Sequence, residues 1–320
     1  MKLDDLKKAM KGVVIVNTTP FNKDGSVDLE GMRANTRWLL ERTAGKDFVF
    51  NPTGSTGEFY AMSDDECKTV IKAIVEEVNG KQPVFVGAGR AATPETIKMC
   101  QYAQSAGADG VLVILPYYFV PTEDGMYQHY KQVAESVDIA VIVYNYPAVS
   151  GSWIRPGLMA RLARIPNIIA VKENTPNLIS YIQMQRAVDP KDATILCGLG
   201  EQMFSYEAVH GCPGFVSSYA NFVPEYSHSI YEAAAAGDFD KMDKIINSLA
   251  PFSGFIGKVT ASHGPSTGVS GGAVMFVSVI KAAMDIIGLR GGEVRLPLVG
   301  LTDEEKAELG NILKDLEIVS

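Results

Sequence analysis

Excess positive charge, paired cysteines, clustered histidines and long apolar runs are all missing from this chain of 320 residues. Its 29 Lys and Arg stand against 37 Asp and Glu, a net charge of −8. That balance excludes the basic face a nucleic-acid footprint needs, so any anionic ligand must be held locally. Cys67, Cys100, Cys197 and Cys212 are far apart and form no CxxC pair, the pattern of reduced thiols in a cytosolic protein. His129, His210, His228 and His263 have no ligand spacing to one another or to those cysteines, and no protein-built metal site is expected. The longest apolar run, "GVLVILPYYFV" at 110–120, is too short to span a bilayer, and the N-terminus "MKLDDLKKAM" places acids where a signal peptide would turn apolar. The expectation is a cytoplasmic protein that binds neither membrane nor nucleic acid.

Nucleotide and hydrolase motifs are absent too. No GxxxxGK[ST], GxSxG or HExxH occurs, and "GAGRAA" (87–92) lacks the third glycine of a dinucleotide fingerprint. Pyridoxal phosphate would need a phosphate cradle, for which "CGLGEQ" (197–202) is only a faint match. No cofactor is expected.

What is present is a repeat of short β-branched runs, each followed by a segment of helical period. The runs are "VVIVN" (13–17), "FVFNP" (48–52), "VFVGA" (84–88), "VLVIL" (111–115), "AVIVY" (140–144), "IIAVK" (168–172), "TILCG" (194–198) and "GFVSS" (214–218). Eight βα units with no spare strand predict an α/β fold, a closed (β/α)8 barrel, over 1–223. From 224 to 320 the strand signals stop, and helices are expected at 224–237, 238–259 and 272–288, with a last one capped by Thr302 and Glu305. No Ser/Gly linker separates this helical layer from the barrel, so the two are expected to pack as one unit. Ser63 and Glu66 form a capping box, and Thr93-Pro94 and Thr175-Pro176 read as capped helix starts.

The strand "IIAVKEN" (168–174) ends in a lysine. Lysine is seldom buried without a partner or a task, and burial lowers its pKa toward the neutral, nucleophilic amine. Ile168, Ala170 and Lys172 share one parity, and Ile142, Tyr144 and Tyr146 share one on the preceding strand. If both face the interior, an amine and a phenol converge at the barrel top over apolar walls. That suits imine chemistry, with the amine attacking a ketone while the hydroxyl shuttles protons. The alternative is that Lys172 pairs with Glu173 or another acid and merely closes the barrel mouth. In "NPTGSTGE" (51–58), Gly54 and Gly57 bracket Ser55 and Thr56, a turn able to present N–H groups and hydroxyls to a carboxylate or phosphate.

"GSTGE" (54–58), "YNYPAVSG" (144–151), "VKEN" (171–174) and "PYYFVPTEDGMYQHY" (116–130) together resemble the dihydrodipicolinate synthase and N-acetylneuraminate lyase superfamily of class I, Schiff-base (β/α)8 enzymes, from about residue 12 to about 290. The resemblance implies that Lys172 forms an imine with a pyruvate-like 2-oxo acid and that Tyr144 relays protons beside it. Ser55 and Thr56 would bind the carboxylate, Gly198 and Ser218 would line the pocket, and Tyr118 would enter a neighbouring subunit's site in a homodimer or tetramer.

Departures narrow the substrate. Where the synthases of this superfamily carry a carboxylate-gripping arginine, this chain has Val149, which cannot supply a bidentate clamp. Where the lyases have an acid, this chain has Gly200, leaving Glu201; Asn174 replaces a small hydroxyl residue. The leading expectation is a Schiff-base lyase similar to N-acetylneuraminate lyase. The alternatives are a dihydrodipicolinate synthase condensing pyruvate with an aldehyde, and a sugar-acid dehydratase, hinted at by Phe59-Tyr60. Outside enzymes, a metabolite-binding barrel is the competing reading.

Overall fold

The computed structural model describes residues 1–264 and 274–319. Eight parallel strands follow one another around a barrel: β1 (Gly12–Val16), β2 (Phe48–Asn51), β3 (Phe85–Gly87), β4 (Gly110–Ile114), β5 (Ala140–Asn145), β6 (Ile168–Glu173), β7 (Thr194–Cys197) and β8 (Gly214–Ser217). Each falls within about a residue of its expected run, because a strand covered on both faces must be apolar throughout. Seven ladders join neighbours; β2 and β3 meet through the single bridge Phe50–Val84, where the Phe50 N–H donates to Pro83 O at 2.9 Å.

Two apolar clusters divide along strand parity. The outer one, including Val13, Ile15, Val111, Val143 and Val171, packs against the helices. The inner one fills the barrel with Val14, Leu112, Ile142, Tyr144, Ala170 and Leu196, and Leu6 and Met10 from the N-terminal segment join it. One parity expectation needs correction. The β5–β6 register slips between Val141 and Ile142, so that Val141 pairs with Ile168 but Ile142 pairs with Ala170. Ile168 therefore belongs to the outer cluster and Ile169 to the inner. Beyond the slip, Ala170 and Lys172 share the inward face with Ile142 and Tyr144, and Tyr144 and Lys172 are direct Cα partners.

The helical layer differs from expectation at one point. The segment 238–259 is two helices, Phe239–Ser248 and Ala250–His263, because Pro251 in the first turn of the second leaves no N–H to continue the first. The helix expected at 272–288 runs Phe276–Ile286, its expected start at 272–273 lying outside the described residues. Both capping boxes, Ser63 with Glu66 and Thr302 with Glu305, are formed. The two Thr-Pro starts are not caps. Thr93 is already helical and its hydroxyl meets His129 Nδ1 at 2.9 Å, while Asn177, two residues past Thr175, accepts from the Ile179 and Ser180 amides.

A buried ion pair joins this layer to the barrel top. Lys281, on the mostly apolar helix Phe276–Ile286, reaches Glu58 Oε1 at 2.7 Å and Thr19 O at 2.9 Å and also donates to Glu293 O; both members of the ion pair are at most 1% exposed. The second Glu58 oxygen accepts from the Arg295 amide at 3.1 Å, and the Arg295 guanidinium clasps Glu66. Glu58 ends the "GSTGE" turn in a left-handed conformation, φ 54°, and its charge pair pins that turn. Replacing Lys281 by Met strands a carboxylate in an apolar setting, which should cost about 3–5 kcal/mol in denaturant unfolding, with much of the loss recovered in Glu58→Gln/Lys281→Met. A single-variant loss below about 1 kcal/mol would mean the pair is solvated as a surface bridge is.

Candidate active site

The C-terminal ends of the strands open into a cavity of about 620 Å³. Lys172, Tyr144, Ser55, Thr56, Gly198, Glu201, Ser218, Val149 and Asn174 all line it. Tyr118 does not: it is 79% exposed, at the tip of the loop after β4, edge-on to Phe119 with ring centroids 4.8 Å apart.

Lys172 lies at the centre of the site, 4% exposed. Its ammonium nitrogen sits 3.9 Å from the centroid of the Tyr144 ring, and among the described residues no carboxylate pairs with it. Glu173, the neighbour that could have neutralised it, points to the other face. There Glu173 Oε2 accepts from Asn145 Nδ2 at 2.8 Å and Oε1 from the Thr175 amide at 2.9 Å. The mouth-closing ion pair is thus not formed. Desolvation lowers the Lys172 pKa from 10.5 to about 7, outweighing the opposite influence of Cys197.

Tyr144 is fully enclosed. Burial, followed by the proximity of Tyr146, pushes its phenol well above the usual tyrosine range, so it is a proton donor and acceptor rather than a resident anion. The Tyr146 ring stacks on it at 5.5 Å and 22°. The Ser55 side chain lies close enough to Tyr144 to favour the ionised phenol, a smaller influence than burial.

The turn carrying Ser55 and Thr56 is built by close approach. A Cβ on Gly57 would lie 2.7 Å from Asn17 O, so only glycine lets this turn seat against β1. Thr19 Oγ1 donates to Gly57 O at 2.8 Å, and Thr53 Oγ1 to Gly87 O at 2.9 Å, bracing both ends. The amides of Ser55 and Thr56 donate to no acceptor among the described residues and remain available to a ligand.

On the opposite wall, a Cβ on Gly198 would fall 1.6 Å from Asn174 Oδ1. The two positions are one packing unit, and the Asn174 oxygen, buried, has no hydrogen-bond partner among the described residues. Glu201 accepts from Ser217 Oγ and, at 2.8 Å, from Ser227 Oγ; burial nevertheless raises its pKa.

The sequence reading missed the walls. Leu199, Ile256, Phe276, Val277 and Leu298 line the cavity, several from the helical layer, and an apolar residue on an amphipathic helix carries no signal of which neighbour it faces. Lys281 was findable, since a lysine inside "FVSVIKAAMDI" is the same anomaly as the one in "IIAVKEN". Among the described residues no group of His, Cys, Asp and Glu could hold a metal ion, and no helix is long and apolar enough to cross a membrane.

Residues 9–316 match the profile described as the dihydrodipicolinate synthetase family. The 4-hydroxy-tetrahydrodipicolinate synthase of Methanocaldococcus jannaschii is 34% identical over 314 residues, covering 97% of this chain and 99% of the relative. Dihydrodipicolinate synthase from Thermotoga maritima superposes with a TM-score of 0.85 at 29% identity, covering 97% of this chain and 99% of that one. The prophage protein YagE from E. coli K12, a dihydrodipicolinic acid synthase family member solved in complex with pyruvate, gives 0.83 at 29%, with coverage of 97% and 99%.

The lowered pKa has a kinetic signature. For an amine whose folded-state pKa is about 7, the initial rate of reaction with a carbonyl compound such as a 2-oxo acid should rise about tenfold per pH unit below that value and flatten above it. Quenching with borohydride at short times and counting labelled protein measures this. A rate still climbing between pH 8 and 10 would show an amine that is not desolvated.

Proposed function

The chain belongs to the dihydrodipicolinate synthetase family, and from that premise we propose that it is a pyruvate-dependent class I aldolase in which Lys172 forms the imine. The observation that carries the reading is an unpaired, buried amine opening into a cavity that also holds the Ser55/Thr56 turn. The pyruvate carboxylate sits on the Ser55 and Thr56 hydroxyls and free amides. The Lys172 amine attacks C2, Tyr144 passes the proton that the carbinolamine oxygen needs to leave as water, and the resulting iminium loses a C3 proton to give an enamine.

The enamine can add to an aldehyde, or its formation can be the second half of a cleavage; condensation and cleavage traverse one path in opposite directions. The relatives bear the synthase name, which supports the condensing alternative over the lyase reading that Val149, in place of the synthases' arginine, had favoured. The exposed tip with Tyr118 and Phe119 supports the further expectation that this loop serves a neighbouring copy in a homodimer or tetramer.

Incubation with pyruvate and borohydride should attach one reduced pyruvate to Lys172, located by peptide mass mapping. Lys172→Arg keeps the charge and should lose the label, whereas an anion-binding barrel would keep its affinity for pyruvate. Tyr144→Phe should slow labelling by about 10²–10⁴-fold, the usual worth of a positioned proton relay. Wild-type protein left unlabelled by pyruvate and by longer 2-oxo acids would refute the imine.

A further inference from the structure

Once pyruvate occupies the inner part of the cavity, the outer part must receive the second reactant, and its walls carry almost no charge. Among the described residues Lys172 is the only cation lining the cavity, and in the neutral enamine that meets the acceptor its nitrogen no longer carries a charge. The only acidic side chain among the described lining residues is Glu201, held by Ser217 and Ser227. Residues 265–273, outside the described structure, contain no Lys, Arg or His in sequence. The wall sets the apolar or aromatic Phe59, Tyr60, Leu199, Ile256, Phe276 and Leu298 beside the uncharged polar side chains of Asn174, Gln202 and Ser218. At the mouth stands Val149, 47% exposed, on the short helix Pro147–Ser150 that follows β5.

A carboxylate on the incoming aldehyde would have to leave water for this surface without a counter-ion, facing Glu201 across it, which is the costly way to bury a charge. An apolar body gains by the same transfer. Resting on the imine reading above, we propose that the acceptor is an uncharged aldehyde with an apolar or aromatic body, and that Val149 is the specificity-determining residue that leaves a carboxylated aldehyde unpaired. In the reaction the enamine's electron pair forms the bond from pyruvate C3 to the aldehyde carbon. The aldehyde π pair moves to its oxygen, which takes a proton through Tyr144. Water then hydrolyses the iminium, freeing Lys172 and a 4-hydroxy-2-oxo acid.

The test is a matched panel: pyruvate with benzaldehyde, butanal, glyceraldehyde or succinic semialdehyde, following the 4-hydroxy-2-oxo acid formed, with borohydride trapping of the pyruvate imine run in parallel. Expected is a kcat/KM for benzaldehyde or butanal at least tenfold above that for both glyceraldehyde and succinic semialdehyde. Val149→Arg, whose fold is checked by its melting curve, should shift the ratio of succinic semialdehyde to butanal at least tenfold toward the acid, because a guanidinium at this lining position would supply the counter-ion that the wall lacks. Four outcomes overturn the proposal while leaving the imine intact: preference for succinic semialdehyde, preference for glyceraldehyde, turnover of none of the four with the imine trapped, or an unchanged ratio in V149R. Absence of the trapped imine is a different failure, since it removes the parent reading first.

Discussion

Burying one amine without a partner is the constraint from which the site is organised. Water would hold Lys172 as an ammonium; the barrel interior withholds that water and offers the face of Tyr144 instead of a carboxylate. An aromatic face is a weak substitute, so desolvation wins and the pKa falls to about 7. For that to hold, every nearby acid must be occupied elsewhere. Glu173 is, by Asn145 and the Thr175 amide, and Glu201 is, by two serines. These hydrogen bonds stand away from the reacting atoms yet keep the amine unpaired.

The other buried lysine shows the opposite use of the same residue. Lys281 has a carboxylate and two carbonyls, so it stays an anchor, and what it anchors is the turn that presents Ser55 and Thr56. The helical layer is therefore more than a cover. Through the ion pair with Glu58 it braces the turn that carries Ser55 and Thr56, and through Ile256, Phe276 and Val277 it supplies part of the cavity wall.

Much of this was legible along the chain. All eight strands were, because a doubly covered strand leaves an apolar run whatever surrounds it, and both capping boxes were, because their partners lie three residues apart. The misses involve information that is not local. The slip at Ile168 depends on how β6 meets β5, the break at Leu249 on whether Pro251 ends one helix or starts another, and the idle Thr175 on Asn177 capping two residues later. Tyr118, expected to enter a neighbouring subunit's site, lies exposed and outside the cavity of this chain.

The sequence by itself determined the barrel, the end of the barrel that carries the chemistry, and the pairing of Tyr144 with Lys172 at one height, since these follow from period and spacing. Only the tertiary structure decided which lysine is free. "IIAVKEN" and "FVSVIKAAMDI" pose the same anomaly, a cation in an apolar run, and each has acids nearby in sequence or space. Whether such a cation is paired depends on charges brought from distant segments, Glu58 to Lys281 across 223 positions and none to Lys172. Electrostatic energy falls with distance in space, and separation along the chain does not report it.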